Sequence, residues 1–309
     1  MKNIISLSIA LAILGMSVYF YTHQENITVS KHFSIVCTTS IIEDTVRQLI
    51  GDDAQVISLM GPDIDPHLYR AREHDIQTLS SANLIIYNGL HLEGKLAEVL
   101  ASMNRYVPTI GLANQLDPAR FIASPEYQTM YDPHIWFDVR IWIEIVKVLC
   151  DALMKHDPEH APAYAARARV YIKELQDLDC AIKKKVATLK PSQRILVTAH
   201  DAFHYFGRAY GFQVVALQGI STESEAGIKD VQALVDFIVT HKVRALFVEA
   251  SIPERNIQAV QQAVRARGFH VSIGDQLYSD ALGPVGSGAD TYIGMVKHNV
   301  NAIVCGLAQ

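Results

Sequence analysis

From Pro158 to Lys190 the chain reads PEHAPAYAARARVYIKELQDLDCAIKKKVATLK, rich in Ala, Lys, Arg, Glu and Leu and without a glycine. Such a run predicts one continuous helix, closed by Pro191. Roughly 30 helical residues extend on the order of 45 Å. That is longer than a usual domain helix and suits a rigid connector between two folded units.

Both flanks keep one rhythm. Before the connector, FSIVCTT, AQVISLM, NLIIYNG and YVPTIGL read as strands, and IIEDTVRQLIG, REHDIQTLSSA and EGKLAEVLASM as helices. Leu112–Asp132 breaks the pattern and reads as a loop, and HIWFDVRIWIEIVKVLCDALMKH follows with a strong helical period. After the connector, RILVTAH, QVVALQG, ALFVEAS and HVSIG are strands. AFHYFGRAYG, IKDVQALVDFIVTHK, ERNIQAVQQAVRARG and TYIGMVKHNVNAIVCGLA are helices. Strands alternating with helices predict parallel sheets. The expected fold is α/β, with two lobes joined by one long rigid α-helix. Each lobe holds a roughly four-stranded parallel sheet flanked by helices. The expected boundaries are 31–157 for the N-terminal lobe, 158–190 for the connecting helix and 191–309 for the C-terminal lobe.

Residues 1–30 differ. Lys2 precedes an apolar run from Ile4 to Tyr21. That fits a secretory signal, and it also approaches the length that spans a bilayer. Two readings stand: a leader cleaved within Thr22–Ser30, or an anchor that stays. The first cysteine is Cys37, so no lipid-modified terminal cysteine is expected. Either way the rest is an exported, periplasmic protein. Cys37, Cys150, Cys180 and Cys305 form no Cys-x-x-Cys pair and are expected as buried free thiols. The net charge of −5 is mild and mixed, which excludes a nucleic-acid surface.

One tripeptide occurs twice, Asp65-Pro66-His67 and Asp132-Pro133-His134. In parallel α/β sheets, ligands collect at the carboxyl ends of strands. His67 lies in the loop after a strand, His134 opens a helix, His200 ends RILVTAH, and Asp280 follows HVSIG. No two are sequence neighbours, unlike a zinc ribbon or a His-Glu-x-x-His helix. A site made from them exists only where two lobes meet. The candidate ligand set is His67, His134, His200 and Asp280, for one divalent ion, Zn2+ or Mn2+. A metal-bound imidazole usually donates its other N–H to a carboxylate or carbonyl. Asp65, Asp132 and Asp201 are candidates for that supporting role. Glu249, at the end of the strand in FVEAS, reads as a further ligand or a supporting carboxylate, and equally as an ordinary helix-cap or loop carboxylate. His204 reads as structural.

Six segments, LMGPDIDPHLY, NLIIYNGLHLEGKL, DPHIWFDV, ILVTAHDAFHYFGRAYGF, LQGISTESEAG and LYSDALG, occur in an order that resembles a known family. It is the TroA/ZnuA-like group (cluster A-I), the metal-binding solute receptors of bacterial manganese and zinc ABC transporters. The resemblance covers essentially everything after the leader. It implies one metal between the lobes, held by His67, His134, His200 and Asp280, and delivery to a membrane permease with no chemistry on the cargo. The expected protein is a monomer that binds neither nucleic acid nor an organic solute. Zinc-specialised members often carry a His-rich loop, whereas Leu112–Asp132 has no histidine. Many manganese-specialised members have Glu where this chain has His200. Dual zinc and manganese binding is therefore expected. The rival readings are a zinc hydrolase built on the three histidines, in which Asp280 would close the position a catalytic water needs, and a metal-binding surface adhesin.

Overall fold

The computed structural model describes residues 33–124 and 130–308. The leader lies outside the described residues. Among those described, no helix is long and apolar enough to cross a membrane.

The first sheet contains β1 (Ser34–Thr39), β2 (Gln55–Met60), β3 (Leu84–Tyr87) and β4 (Thr109–Gly111), all parallel, in the order β2-β1-β3-β4. The second contains β5 (Ile195–His200), β6 (Gln213–Gln218), β7 (Ala245–Leu246) and β8 (Ser272–Ile273), in the order β6-β5-β7-β8. Helices α1 (Ser40–Ile50), α2 (Glu73–Ser81), α3 (Ala97–Met103) and α4 (Val139–His156) belong to the first lobe. Helices α6 (His204–Tyr210), α7 (Ile228–His241), α8 (Arg255–Ala266) and α9 (Tyr292–Ala308) belong to the second, and α5 (Ala161–Val186) lies between. Ile35, Val36 and Cys37 on β1 have no exposed surface, as a parallel strand covered on both faces requires. Helix α1 starts at Thr39, whose side chain accepts the Ile42 N–H, and ends at Gly51. Gly51 has φ +58°, a conformation that costs glycine least.

Helix α5 is shorter than the glycine-free run. Its 26 residues span about 39 Å. Asp157 closes α4 and accepts hydrogen bonds from His160 Nδ1 and the Tyr164 hydroxyl, so residues 157–160 form the turn between the helices. At the other end Lys190 precedes a proline, which disfavours helical geometry there. Tyr164, Ala168, Tyr171, Leu175, Leu178, Ile182 and Val186 are buried at steps of three and four, a single helical face. That face packs against α1, α4 and α9. The connector is therefore a splint inside the core rather than a bridge through solvent.

One apolar cluster runs from Ile35, Ile41 and Trp142 in the first lobe through Leu175 to Phe203, Phe247 and Tyr292 in the second. Each sheet's other face has its own cluster, around Leu79 and Leu100 in the first lobe and Leu234 and Val260 in the second. Residues Phe33–Gln309 consequently form one compact unit.

Two strands are shorter than ALFVEAS and HVSIG predict. Pairing of β7 and β8 covers two residues each, and an isolated parallel bridge joins Glu249 to Leu277 beyond them. His134 does not open an α-helix: Ile135–Phe137 form a 3-10 turn, and α4 starts after Asp138, whose carboxylate accepts the Arg140 N–H. All four cysteines are free, but Cys180 and Cys305 are exposed, on the outer faces of α5 and α9.

Candidate metal centre

In both sheets the chain order reverses beside the first strand, between β1 and β3 and between β5 and β7. Side chains at the carboxyl ends of such neighbours face a common crevice. His200 is the last residue of β5, and Glu249 follows β7. Glu249 Oε1 accepts the Ala199 and His200 backbone N–H groups at 2.8 and 2.9 Å, and Oε2 accepts His200 Nδ1–H at 2.6 Å. One carboxylate thus fixes the strand end and the ring together.

His134 is held similarly. Asp132 Oδ1 accepts its backbone N–H at 2.9 Å and its Nδ1–H at 2.8 Å. The loop after β3 supports that turn. Buried Glu93 accepts hydrogen bonds from the Thr38 hydroxyl and the Asn88 and Gly89 amides, and Asn88 Nδ2 donates to the Pro133 carbonyl at 3.0 Å. From the second lobe the Tyr205 hydroxyl donates to the Asp132 carbonyl at 2.8 Å.

The first copy of the tripeptide behaves differently. Asp65 Oδ1 accepts the His67 backbone N–H at 2.9 Å, while Oδ2 accepts the Thr222 hydroxyl at 2.6 Å from the other lobe. Asp65 therefore braces the backbone of His67 and not its ring. Asp280 sits in a loop held from three sides. Asn299 exchanges hydrogen bonds with both backbone groups of Tyr278, Trp136 Nε1 donates to the Ser279 carbonyl, and the Leu282 amide donates to Ser40 Oγ.

Together these supports converge four side chains. His67, His134, His200 and Asp280 each offer a ligand atom, all within 4.8 Å of one another, and none is more than 3% exposed. His134 Nε2 lies 3.3 Å from His67 Nε2 and 3.4 Å from His200 Nε2. Asp280 Oδ1 lies 3.4 Å from His134 Nε2, and Oδ2 lies 3.3 Å from His200 Nε2. A tetrahedron with metal–ligand bonds of about 2.05 Å has edges of about 3.35 Å. All four distances match such an edge. Neither oxygen of Asp280 has a hydrogen bond, although both are buried. A desolvated carboxylate of this kind needs a cation.

The charges agree. Burial pushes His67 down to about 3, helped by the neighbouring imidazoles and opposed by Asp280. His134 is raised to about 9, because Asp132 and Asp280 outweigh its burial. His200 is raised by Glu249 and Asp280, again against burial. Burial alone would raise Asp280, but His200 and His134 hold it well below the usual carboxylate range.

Asp201, adjacent to His200 in sequence, does not brace it. Its carboxylate lies 3.1 Å from His204 Nε2. His204 in turn lies 3.6 Å from Asp132 Oδ2, so it stands behind the centre. Thr222, Trp136, Asn88 and Glu93 were not marked by the sequence for the roles they play. Only Trp136 carried a signal, directly behind Asp-Pro-His-Ile.

The family model for the zinc-uptake complex component A, periplasmic (ZnuA), matches residues 35–306. The zinc-binding protein TroA of Treponema pallidum is 42% identical over 275 residues, 89% of this chain and 89% of that protein. The manganese-binding lipoprotein MntA of Bacillus subtilis is 42% identical over 273 residues, 88% of this chain and 89% of that protein. The solved structure of the periplasmic zinc-binding protein TroA from Treponema pallidum has a TM-score of 0.88, with 42% identity, over 90% of this chain and 100% of that one.

Proposed function

The chain belongs to the periplasmic zinc-uptake complex component A family, and on that premise we propose that it captures one divalent metal ion between its two sheets and delivers it to the membrane permease of an ABC transporter. The observation that carries the reading is Asp280, fully buried, its two oxygens without hydrogen bonds and facing imidazole nitrogens. His67, His134, His200 and Asp280 are the ligands of this proposal. Asp132 and Glu249 orient two of the rings, leaving their Nε2 lone pairs to the ion.

Zn2+ and Mn2+ are both cargo in this proposal. Three imidazoles and a carboxylate favour Zn2+ on intrinsic affinity. The two Asp280 oxygens approach different imidazoles, which suits a bidentate, five-coordinate arrangement open to Mn2+. Relatives named for zinc and for manganese are equally similar to this chain, so identity does not separate the ions.

The proposal includes export to the periplasm, action as a monomer, and no chemistry on the cargo. A catalytic zinc keeps a coordination position open to water and substrate. Here the four side chains are enclosed, and the cavity that reaches His67 holds about 40 Å³. A larger cavity of about 810 Å³ lies against β6 and α7, and none of the four lines it.

Metal analysis of protein purified from its native compartment, followed by thermal denaturation after dialysis against chelator, tests this reading. Zn2+ and Mn2+ should each raise the melting temperature of the stripped protein, and Asp280→Ala should abolish the rise. Stripped protein that responds to neither ion sinks it.

A further inference from the structure

We propose that Asp65 and Thr222 form a strut that couples closure of the two lobes to the position of His67, so that His67 is the first ligand to leave and the strut sets the rate of metal release. The inference rests on the capture reading above.

The two ring braces are internal to their lobes. Asp132 and His134 belong to the first, and Glu249 and His200 to the second. Parting the lobes leaves each pair intact. His67 has no such brace: among the described residues its ring makes a hydrogen-bond contact only with His134 Nε2. Its backbone is fixed through Asp65, and that carboxylate is divided. Oδ1 holds the His67 amide within the first lobe, and Oδ2 receives the Thr222 hydroxyl from the loop after β6. Thr222 is 7% exposed. Its hydrogen bond to a carboxylate is therefore of the strong, charge-assisted kind. Withdrawal of the loop carrying Thr222 frees Asp65 to turn toward solvent, and the restraint on the His67 amide goes with it.

A neighbouring contact separates this strut from a general latch. Glu223, next to Thr222, pairs with Lys95 Nζ across the same gap at 2.6 Å, but both side chains are about a third exposed or more. Exposed pairs contribute little. The Lys95–Glu223 pair also touches neither Asp65 nor a ligand. If any contact across the gap served equally, removing either would speed release. If the strut acts through His67, only Thr222 matters.

The test is metal release from the full chain loaded with Zn2+ or with Mn2+, mixed rapidly with excess metallochromic chelator. Thr222→Val should raise the dissociation rate about tenfold, the loss of one charge-assisted hydrogen bond, with the association rate within about twofold of wild type. Thr222→Ser should restore the wild-type rate, and Lys95→Met should change it by less than about twofold. Thr222→Ala repeats the measurement should the valine variant not fold. A hydroxyl-free variant that releases metal at the wild-type rate overturns the strut, as does a Lys95→Met rate that rises as much as the Thr222→Val rate. Wild-type protein that binds neither ion overturns the capture reading, and the strut with it.

Discussion

His200 shows how one carboxylate decides what an imidazole can do. Glu249 accepts the Nδ1–H hydrogen bond, so Nε2 is the ring atom that faces Asp280 and the other rings. Glu249→Gln keeps the shape, and its oxygen can still accept the two amides. Its NH2 group would then confront Nδ1–H, or force the proton onto Nε2 and block the ligand atom. The variant should bind Zn2+ about 10- to 100-fold more weakly, the usual loss when such a partner is removed, with the fold retained. Competition with a chelator of known affinity measures it, and unchanged affinity would show that Glu249 does not act on the ring. A second consequence concerns protons. His134 is raised to about 9 and His200 is raised as well, so both carry a second proton at pH 7 in the metal-free protein. Exchange of one divalent ion for two protons leaves the charge of the buried centre unchanged. Binding at pH 7 should therefore release close to two protons. Because the free form holds them below its raised pKa values, affinity must fall as pH falls. It should rise from pH 7 toward 9 and then less steeply, since His134 is already bare while His200 still holds its proton. His67, held at about 3, contributes nothing to that slope. Calorimetry in two buffers of different ionisation enthalpy counts the protons, and a count of zero would refute the assignment.

At the scale of elements, α5 is the piece whose sequence and placement differ most in what they reveal. Its existence was legible from the glycine-free run, though the run overstated its length. Its burial depends on Tyr164, Tyr171 and Leu175 recurring on one face, a face that only the packing of α1, α4 and α9 makes internal. Leu175 has no exposed surface, whereas Val170 is 61% exposed on the opposite side. Leu175→Ala should cost about 2–5 kcal/mol, and Val170→Ala should stay within about 0.5 kcal/mol of wild type. Urea denaturation compares them, and equal midpoints would contradict a buried splint. The strands and helices were legible because a buried parallel strand and an amphipathic helix write different periods. The four converging side chains were legible because His200 ends a strand, His134 opens a turn, and His67 and Asp280 lie in loops that follow strands. Their supports were legible only in part: Asp132 and Glu249 were candidates and meet rings of the centre, whereas Asp65 and Asp201 were candidates and do not. Asp201 follows His200 directly, yet it lies in the bend beyond the end of β5 and its carboxylate meets His204 instead. Asp65 and Asp132 occupy the same tripeptide, but only Asp132 reaches a ring. Glu249 and Thr222 are brought to the centre by tertiary packing, which local spacing does not encode.

At the scale of the whole molecule, the two sides of the centre are built from different materials. On one side the apolar cluster passes without a break between lobes. Phe137 stacks on Phe203 with centroids 4.3 Å apart, Trp142 stacks on Tyr292 at 5.4 Å, and the Tyr292 hydroxyl donates to the Trp136 carbonyl. Separating these surfaces would expose aromatic area at roughly 25 cal/mol per Å². On the other side, the contacts across the gap that flank His67 are polar, Asp65 with Thr222 and Lys95 with Glu223. Water can take over both partners of a polar contact once it breaks, whereas it offers nothing in place of aromatic packing. Release should therefore proceed by a small tilt that opens the polar side and pivots on the apolar one, with α5 unbent. A compact unit the size of Phe33–Gln309 has a radius of gyration of about 19 Å. Small-angle scattering of protein whose leader has been removed should give a value near this with and without metal, the two differing by less than about 1 Å. Thermal denaturation of the same samples should still separate them, because an ion bound at a hundred times its dissociation constant stabilises the folded state by about 2.7 kcal/mol. A metal-free form several ångströms larger would show that the apolar side opens too, and would remove α5 from its role as the splint that limits the motion.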